Sequence, residues 1–331
     1  MLSRWVGPAL GMGIGAGVAL QARINGALGE RLQDGIAAAV VSFGTGLFLL
    51  VVAFLLSTRL RTELRRVRGA LADGILRPWQ LLGGLFGAGF VATQGLTVAA
   101  LGVTSFTVAV VAGQLLSSLV VDRLGLAPSG RTPVTVMRVA GAVLAVAAVL
   151  LAGSGGGEPQ AFTAMAALPE IPTPLLIALP AAAGIGLAWQ QAVNGQVGAA
   201  GGPIAATLIN FTAGLTALLV IETAVLIGLG RPNRFPTEPW LYLGGPLGVV
   251  FIAAGVLVVR RIGVLLLGLT SVAGQLLASV LLDWALPTGP GLSPTALLGC
   301  ALTLIAVLVG ASRQGDHTRD DSGRGDRSEP T

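Results

Sequence analysis

Lysine is missing from this chain altogether, and histidine, cysteine and tyrosine occur once each. Each scarcity excludes a chemistry. The lone His317 stands in a polar tail, so neither a histidine-based triad nor an H-E-x-x-H zinc helix can be assembled. One cysteine, Cys300 in an apolar segment, rules out an intramolecular disulfide and a cysteine metal cluster. There is no Walker sequence to suggest ATP-driven work, and no cofactor is expected. GMGIGA at residues 11–16 imitates a dinucleotide loop, but no strand precedes it and an apolar run contains it. Charge is scarce too. Charged residues make up 11% of the chain, against roughly 25% for a soluble domain, so a soluble enzyme is excluded. The pI of about 11.1 invites a nucleic-acid reading, but the arginines stand between apolar runs and no nucleic-acid partner is expected.

Apolar residues supply 53% of the 331 positions, mean hydropathy is +0.83, and there are 49 glycines. Such glycine enrichment accompanies closely packed membrane helices. A spanning helix needs about 20 mostly apolar residues. Ten segments qualify, at about 5–22, 36–57, 79–100, 104–121, 133–152, 175–193, 203–228, 240–259, 263–282 and 294–312. The third and fourth are divided by little more than Gly102, the eighth and ninth by Arg260, Arg261 and Gly263. The first is read as a retained helix rather than a signal peptide, because its apolar core is long and glycine-rich and has an internal counterpart. Residues 153–172 form a Gly- and Pro-rich linker, and 313–331 a polar tail expected to be a disordered cytoplasmic extension.

The linker divides two copies of one unit, 1–152 and 173–312. A shift of 169 places Gly15, Gly17, Gln21, Asn25 and Gly26 on Gly184, Gly186, Gln190, Asn194 and Gly195. After a one-residue slip, Phe43 and Gly46 fall on Phe211 and Gly214. A shift of 161 then matches Trp79, Gly83, Gly84, Gly87, Gly113, Gln114 and Asp122 to Trp240, Gly244, Gly245, Gly248, Gly274, Gln275 and Asp283. Five helices is an odd number, so the second copy is expected to enter the membrane from the opposite side. With an inside N-terminus, sixteen arginines fall inside and four (Arg23, Arg31, Arg231, Arg234) outside. The positive-inside rule therefore favours cytoplasmic termini and an all-α, multi-pass protein of two inverted five-helix repeats in the cytoplasmic membrane. The basic stretch RLRTELRRVRG reads most simply as a cytoplasmic retention signal, with a lipid-headgroup site as the alternative.

Two motif sets carry a family resemblance. They are Gln21 with Asn25, Ser42 to Gly46 and Gly113 to Asp122, repeated as Gln190 with Asn194, Asn210 to Gly214 and Gly274 to Asp283. In this pattern the chain resembles the YdcZ-type family of the drug/metabolite transporter superfamily, as a fused ten-helix form of the five-helix unit. The resemblance implies that superfamily's fold and a transport role without naming a cargo.

Inverted repeats suit alternating access around a midplane site, so the expected function is secondary transport of a small polar or cationic metabolite or drug. A non-transporting scaffold or regulatory subunit is the alternative. Gln21, Asn25, Gln190 and Asn194 are the leading substrate-binding candidates, because an amide both donates and accepts and i, i+4 spacing makes each pair one patch. The competing reading is that they only join helices. Gln114 and Gln275 form a second amide pair, and Trp189 is a candidate pocket wall or cation-facing ring. Asp122 and Asp283 read as capping or interfacial groups, and Gln94, matched by Gly255, as asymmetric. Glu222 lies within the seventh span where the first copy has Phe54, and is the candidate proton carrier. Expected partners are a small-molecule substrate, protons as coupling ion, and the lipid bilayer, with the chain a monomer or homodimer.

Overall fold

A computed structural model describes residues 3–126, 130–131, 133–154, 173–228, 230–287 and 291–311. The expected linker is helical through Ser154 and lies beyond that outside the described residues, as do His317 and the tail 313–331, and the side chains of Arg260 and Arg261.

The described residues form α-helices and short 3-10 turns. Helix α1 (Ser3–Leu32) holds the whole GVALQARINGALG stretch. It runs well past the expected end at residue 22: Arg23, Asn25 and Glu30 end the apolar window, but nothing stops the helix before Gln33 takes φ 54°. Asp34 then caps α2 (Gly35–Leu56), accepting the Ile36 and Ala37 N–H groups at 2.9 Å each. Ser57 ends α2 and caps the next helix through Leu60 N–H at 3.3 Å. That helix, α3 (Thr58–Ala72), is built from the basic stretch and was not foreseen as an element. It buries Leu60, Glu63, Val67 and Ala70, spaced three, four and three apart, on one face.

A 3-10 turn, Pro78–Leu82, leads into α4 (Gly83–Leu124), which is broken at Gly102 (φ 77°, ψ 161°). Only glycine takes this conformation readily. The remaining helices are α5 (Val136–Ser154), α6 (Thr173–Gly201), α7 (Pro203–Gly228), α8 (Gly244–Ala285) and α9 (Pro294–Ala311). α6 too extends beyond its expected end at 193. Among the described residues, five helices are long and apolar enough to cross a membrane: Gly35–Leu56, Pro78–Leu124, Leu175–Gly201, Pro203–Gly228 and Leu267–Ala285. The outer faces of α2, α5 and α7 carry Phe48, Leu150, Val220 and Ile227, at 67–83% exposure, an apolar surface suited to lipid.

Contacts set the directions of the chain. In the first limb of α4, Gly83 meets Val193 and Asn194, and Gly87 meets Gln190, so this limb runs antiparallel to α6. In the second, Gly113 meets Ala181 and Ile185, the Ser117 hydroxyl donates to the Ile185 carbonyl at 3.0 Å, and Val121 packs with Ala188 and Ala192. That limb runs parallel to α6, so the chain reverses at Gly102. α8 treats α1 in the same way. Gly244 meets Asn25, Gly248 meets Gln21 and Phe251 lies on Gly17, whereas Thr270 meets Gly11 and Gln275 meets Gly15.

Each unit's doubled-back run therefore packs on the other unit's first helix. The matched helices α2 and α7 cross antiparallel, with Phe43 against Gly214 and Phe211 against Gly46. α5 and α9 also run antiparallel, with Ala145 beside Ala306 and Gly299 against Ala148 and Ala152. The largest core cluster gathers Ala19, Ala22, Phe43, Phe90, Phe106, Phe211 and Leu218 where these crossings meet.

Candidate functional site

The amide pairs project from α1 and α6 onto glycine faces of the opposite unit. The Gln21 side chain donates from Nε2 to the Gly244 carbonyl at 2.8 Å. Asn25 donates from Nδ2 to Oε1 of Gln94 at 2.6 Å, and both residues are fully buried. Ser42, also buried, lines the same spot: a β-carbon on Gly244 would lie 3.0 Å from its hydroxyl. In the second unit, one carbonyl serves two donors. Asn210 Oδ1 accepts from Gln190 Nε2 and from Asn194 Nδ2, each at 2.9 Å.

The matched glycines exist for this approach. A β-carbon on Gly83 would stand 2.5 Å from Asn194 Oδ1, and one on Gly248 would stand 2.7 Å from Gln21 Nε2. Any larger residue would push the ridge of amides off its seat. Sequence reading had placed Asn210 only within a motif and had set Gln94 aside for lacking a counterpart. Neither partnership was visible: Asn25 meets Gln94 69 residues on, and Asn210 meets Gln190 and Asn194 only because α7 folds back beside α6.

Among the described residues, no hydrogen bond joins one amide cluster to the other. Phe43 and Phe211 lie between them with ring centroids 4.9 Å apart and planes tilted by 37°. Phe43 faces the Gly214 side and Phe211 the Gly46 side, next to Gly248. The site is thus two polar patches divided by an aromatic pair.

The patches are incompletely satisfied in one unit. Asn25 Oδ1 and Gln94 Nε2 are buried with no partner, as are the hydroxyls of Thr104 and Thr107 on the second limb of α4. A buried amide atom without a partner costs about 1–3 kcal/mol. The first unit therefore holds unspent donor and acceptor capacity, whereas Gln190 and Asn194 both donate to Asn210.

The other candidates lie elsewhere. Gln114 is half-buried and Gln275 buried, where α4 crosses α6 and α8 crosses α1. Neither amide side chain bonds a described residue. Along α1, the Gln275 contact at Gly15 lies six residues from Gln21, about 9 Å of helix. Trp189, like Leu126, packs against the cluster of Val121, Ala188 and Ala192, away from the Gln190 bond to Asn210.

Asp122 pairs with Arg138. Asp283 reaches across units, accepting the Val103 and Thr104 N–H groups at 3.0 and 2.7 Å, and so caps the limb that follows Gly102. Glu222 is buried on α7 with its Oε2 unpartnered. The α2–α7 crossing, with Phe43 beside Gly214, brings it level with the α2 start at Asp34 and Gly35. Among the described residues, no three His, Cys, Asp or Glu side chains converge as a metal site would require.

Apolar outer faces, spanning helices, and two like units interleaved around buried amides define a multi-pass helical membrane protein of the transporter type. Comparison with known proteins agrees. Residues 6–151 and 175–309 each match the family described as "Putative inner membrane exporter, YdcZ". The chain belongs to this YdcZ family of the drug/metabolite transporter type, as a tandem of two units. Among solved structures it is similar to one described only as "Crystal structure of protein". That match has 18% identity and a TM-score of 0.52, covering 97% of this chain and 99% of the other, and it speaks to the fold alone. No curated protein matches the chain.

Proposed function

We propose that this chain is a secondary transporter that moves a small polar or cationic metabolite or drug across the cytoplasmic membrane by alternating access. Its two halves, 1–152 and 173–312, have inverted topology with both termini in the cytoplasm, joined by the 153–172 linker and followed by the 313–331 tail. The observation that carries this reading is the reciprocal seating of each unit's amide ridge on the other unit's glycine face. Two matched surfaces of this kind can exchange open and closed states around one centre. The antiparallel crossings of α2 with α7 and of α5 with α9 support the inversion. So does the sorting of charge. At the α3 end, the arginines of α3 with Arg77, Arg123, Arg131 and Arg138 outnumber Glu63, Asp73 and Asp122, whereas at the other end Arg23, Arg31, Arg231 and Arg234 are matched by Glu30, Asp34, Glu222, Glu238 and Asp283.

Substrate binds at Gln21, Asn25, Gln190 and Asn194, with Gln94, Ser42 and Asn210 completing the patches and Phe43–Phe211 dividing them. Among the described residues no ionised side chain bonds to the amides of either cluster, which suits a polar ligand that is neutral, zwitterionic or weakly charged. Gln114 and Gln275 line the approach, Glu222 carries a coupling proton, and Trp189 stands outside the site as packing. The chain acts as a transporter, not an enzyme, and works as a monomer, the fused repeat replacing a dimer of single units.

A scaffold reading draws on one observation, the closed bonding of Gln190 and Asn194 to Asn210. A thermal-shift panel on detergent-solubilised protein separates the two. It spans amino acids, polyamines, quaternary ammonium compounds, nucleosides and sugars at two pH values. A ligand at 100 times its Kd adds about 2.7 kcal/mol of apparent stability. Stabilisation of wild type but not of Asn25→Ala or Asn194→Ala names the site and the cargo class. Silence across the panel favours the scaffold.

A further inference from the structure

The helix that sequence reading did not foresee sits at a mechanically sensitive place. α2 begins after Asp34, which caps it from its own chain position. α7 begins after Gly202, which has no side chain to offer. Its cap is lent by α3. Glu63, 3% exposed, accepts the Ala205 N–H through Oε2 at 3.2 Å. Its other oxygen takes the Arg59 Nε–H at 3.3 Å. Gly202, at φ 128°, admits the carboxylate: a β-carbon there would lie 2.6 Å from Glu63 Cγ. Around this contact, Leu60, Val67 and Ala70 pack with Val197, Ala205 and Ala206 of α6 and α7. α3 is thus bolted to the junction of two core helices.

Its other face is arginine. Arg61, Arg65 and Arg68, spaced four and three apart, stand opposite the buried face, with Arg66 on one flank, and all are exposed. Exposed apolar residues bracket the helix on either side, Leu56 at 82% before it, and Ile75 at 70% and Trp79 at 43% after it. Arginines framed by exposed aliphatic and tryptophan side chains, at the end of a spanning helix, match the headgroup layer of a bilayer. The second unit offers no helical counterpart: the described residues between α7 and the Pro239–Tyr242 turn are not helical.

We propose that α3 is an anionic-lipid latch. Arg61, Arg65, Arg66 and Arg68 bind the phosphates of acidic phospholipids in the leaflet beside it, and Glu63 carries that hold to the start of α7. Lipid composition then sets how firmly the α6–α7 junction is held. The inference rests on the chain's place in the bilayer and is independent of its cargo.

Amide hydrogen exchange tests it on the full chain in nanodiscs of phosphatidylcholine, with and without phosphatidylglycerol as a third of the lipid. Anionic lipid slows exchange across 57–72 and at Ala205 by at least about tenfold, and high salt erases the difference. The fourfold variant Arg61→Gln, Arg65→Gln, Arg66→Gln, Arg68→Gln loses the lipid effect at both places. Glu63→Ala keeps it on α3 and loses it at Ala205. Equal exchange of wild type in the two discs, or a lipid effect indifferent to salt, overturns the proposal without needing any variant to fold. Equal protection by soluble glycerol phosphate also overturns it, because the site then belongs to a free anion. None of these readouts depends on transport, so their failure leaves the exporter reading standing.

Discussion

Two glycines two positions apart in α1 have opposite surroundings, and replacing each by alanine isolates the packing between units. At Gly13 a new β-carbon meets nothing within 4 Å. At Gly15 it would lie 2.6 Å from the Ser271 carbonyl carbon and 2.8 Å from the Gln275 backbone nitrogen. Ordinary van der Waals contact needs about 3.5–4.0 Å and the Ser271 carbonyl oxygen lies closer still, so α8 must retreat by well over ~1 Å. The obstacle is main chain in a helix, so no rotamer change relieves it. Both substitutions gain the same helix propensity, up to about 1 kcal/mol, and this gain cancels in the comparison. What remains is the overpacking cost, about 1–3 kcal/mol. Gly15→Ala is therefore expected to be less stable than Gly13→Ala by about 1–3 kcal/mol, measured by reversible unfolding in mixed micelles. The matched Gly184→Ala, whose β-carbon would lie 2.9 Å from the Val110 carbonyl carbon, is expected to behave like Gly15→Ala. If Gly15→Ala and Gly13→Ala unfold alike, α1 and α8 are not seated backbone to backbone and the reciprocal packing is refuted.

Asn210→Leu removes the acceptor shared by Gln190 and Asn194. With membrane hydrogen bonds averaging about 0.6 kcal/mol each, it is expected to destabilise by at least about 1 kcal/mol in the same assay. An unchanged unfolding midpoint would show that the two amides find other partners. Asp283→Ala strips the cap from the α4 limb after Gly102 and is expected to cost about 1–2 kcal/mol, with Asp283→Asn losing less. Rapid amide exchange at Val103 and Thr104 in the alanine variant is its local signature, and protection equal to wild type would refute the cap. Glu222→Gln is expected to abolish pH-driven transport while leaving the unfolding midpoint close to wild type. Undiminished pH-driven flux in that variant removes Glu222 as the proton carrier.

Much of the fold was legible because the bilayer imposes a length and a polarity on every spanning helix. The α4 break was readable at Gly102, since two spans with almost nothing between them need a residue that turns the chain at once. Helix ends were less legible. α1 and α6 continue beyond residues 22 and 193 because helices end where the backbone turns, at Gln33 and Gly202, and not where polarity begins. α3 escaped notice because its arginines outweigh the four-residue buried face that makes it a helix.

The sequence by itself determined the solvent, the duplication and the identity of the amides. These follow from composition and from residues repeated at fixed offsets, which need no neighbours in space. Only the tertiary structure decided what those residues touch. It gave Asn25 to Gln94, and Gln190 with Asn194 to Asn210. It set Phe43 against Phe211 between the two patches. It lent Glu63 to α7 and Asp283 to the second limb of α4. Residues 69 to 180 apart in the chain meet in several of these contacts, through hydrogen bonds and close packing that leave no periodic trace in the sequence.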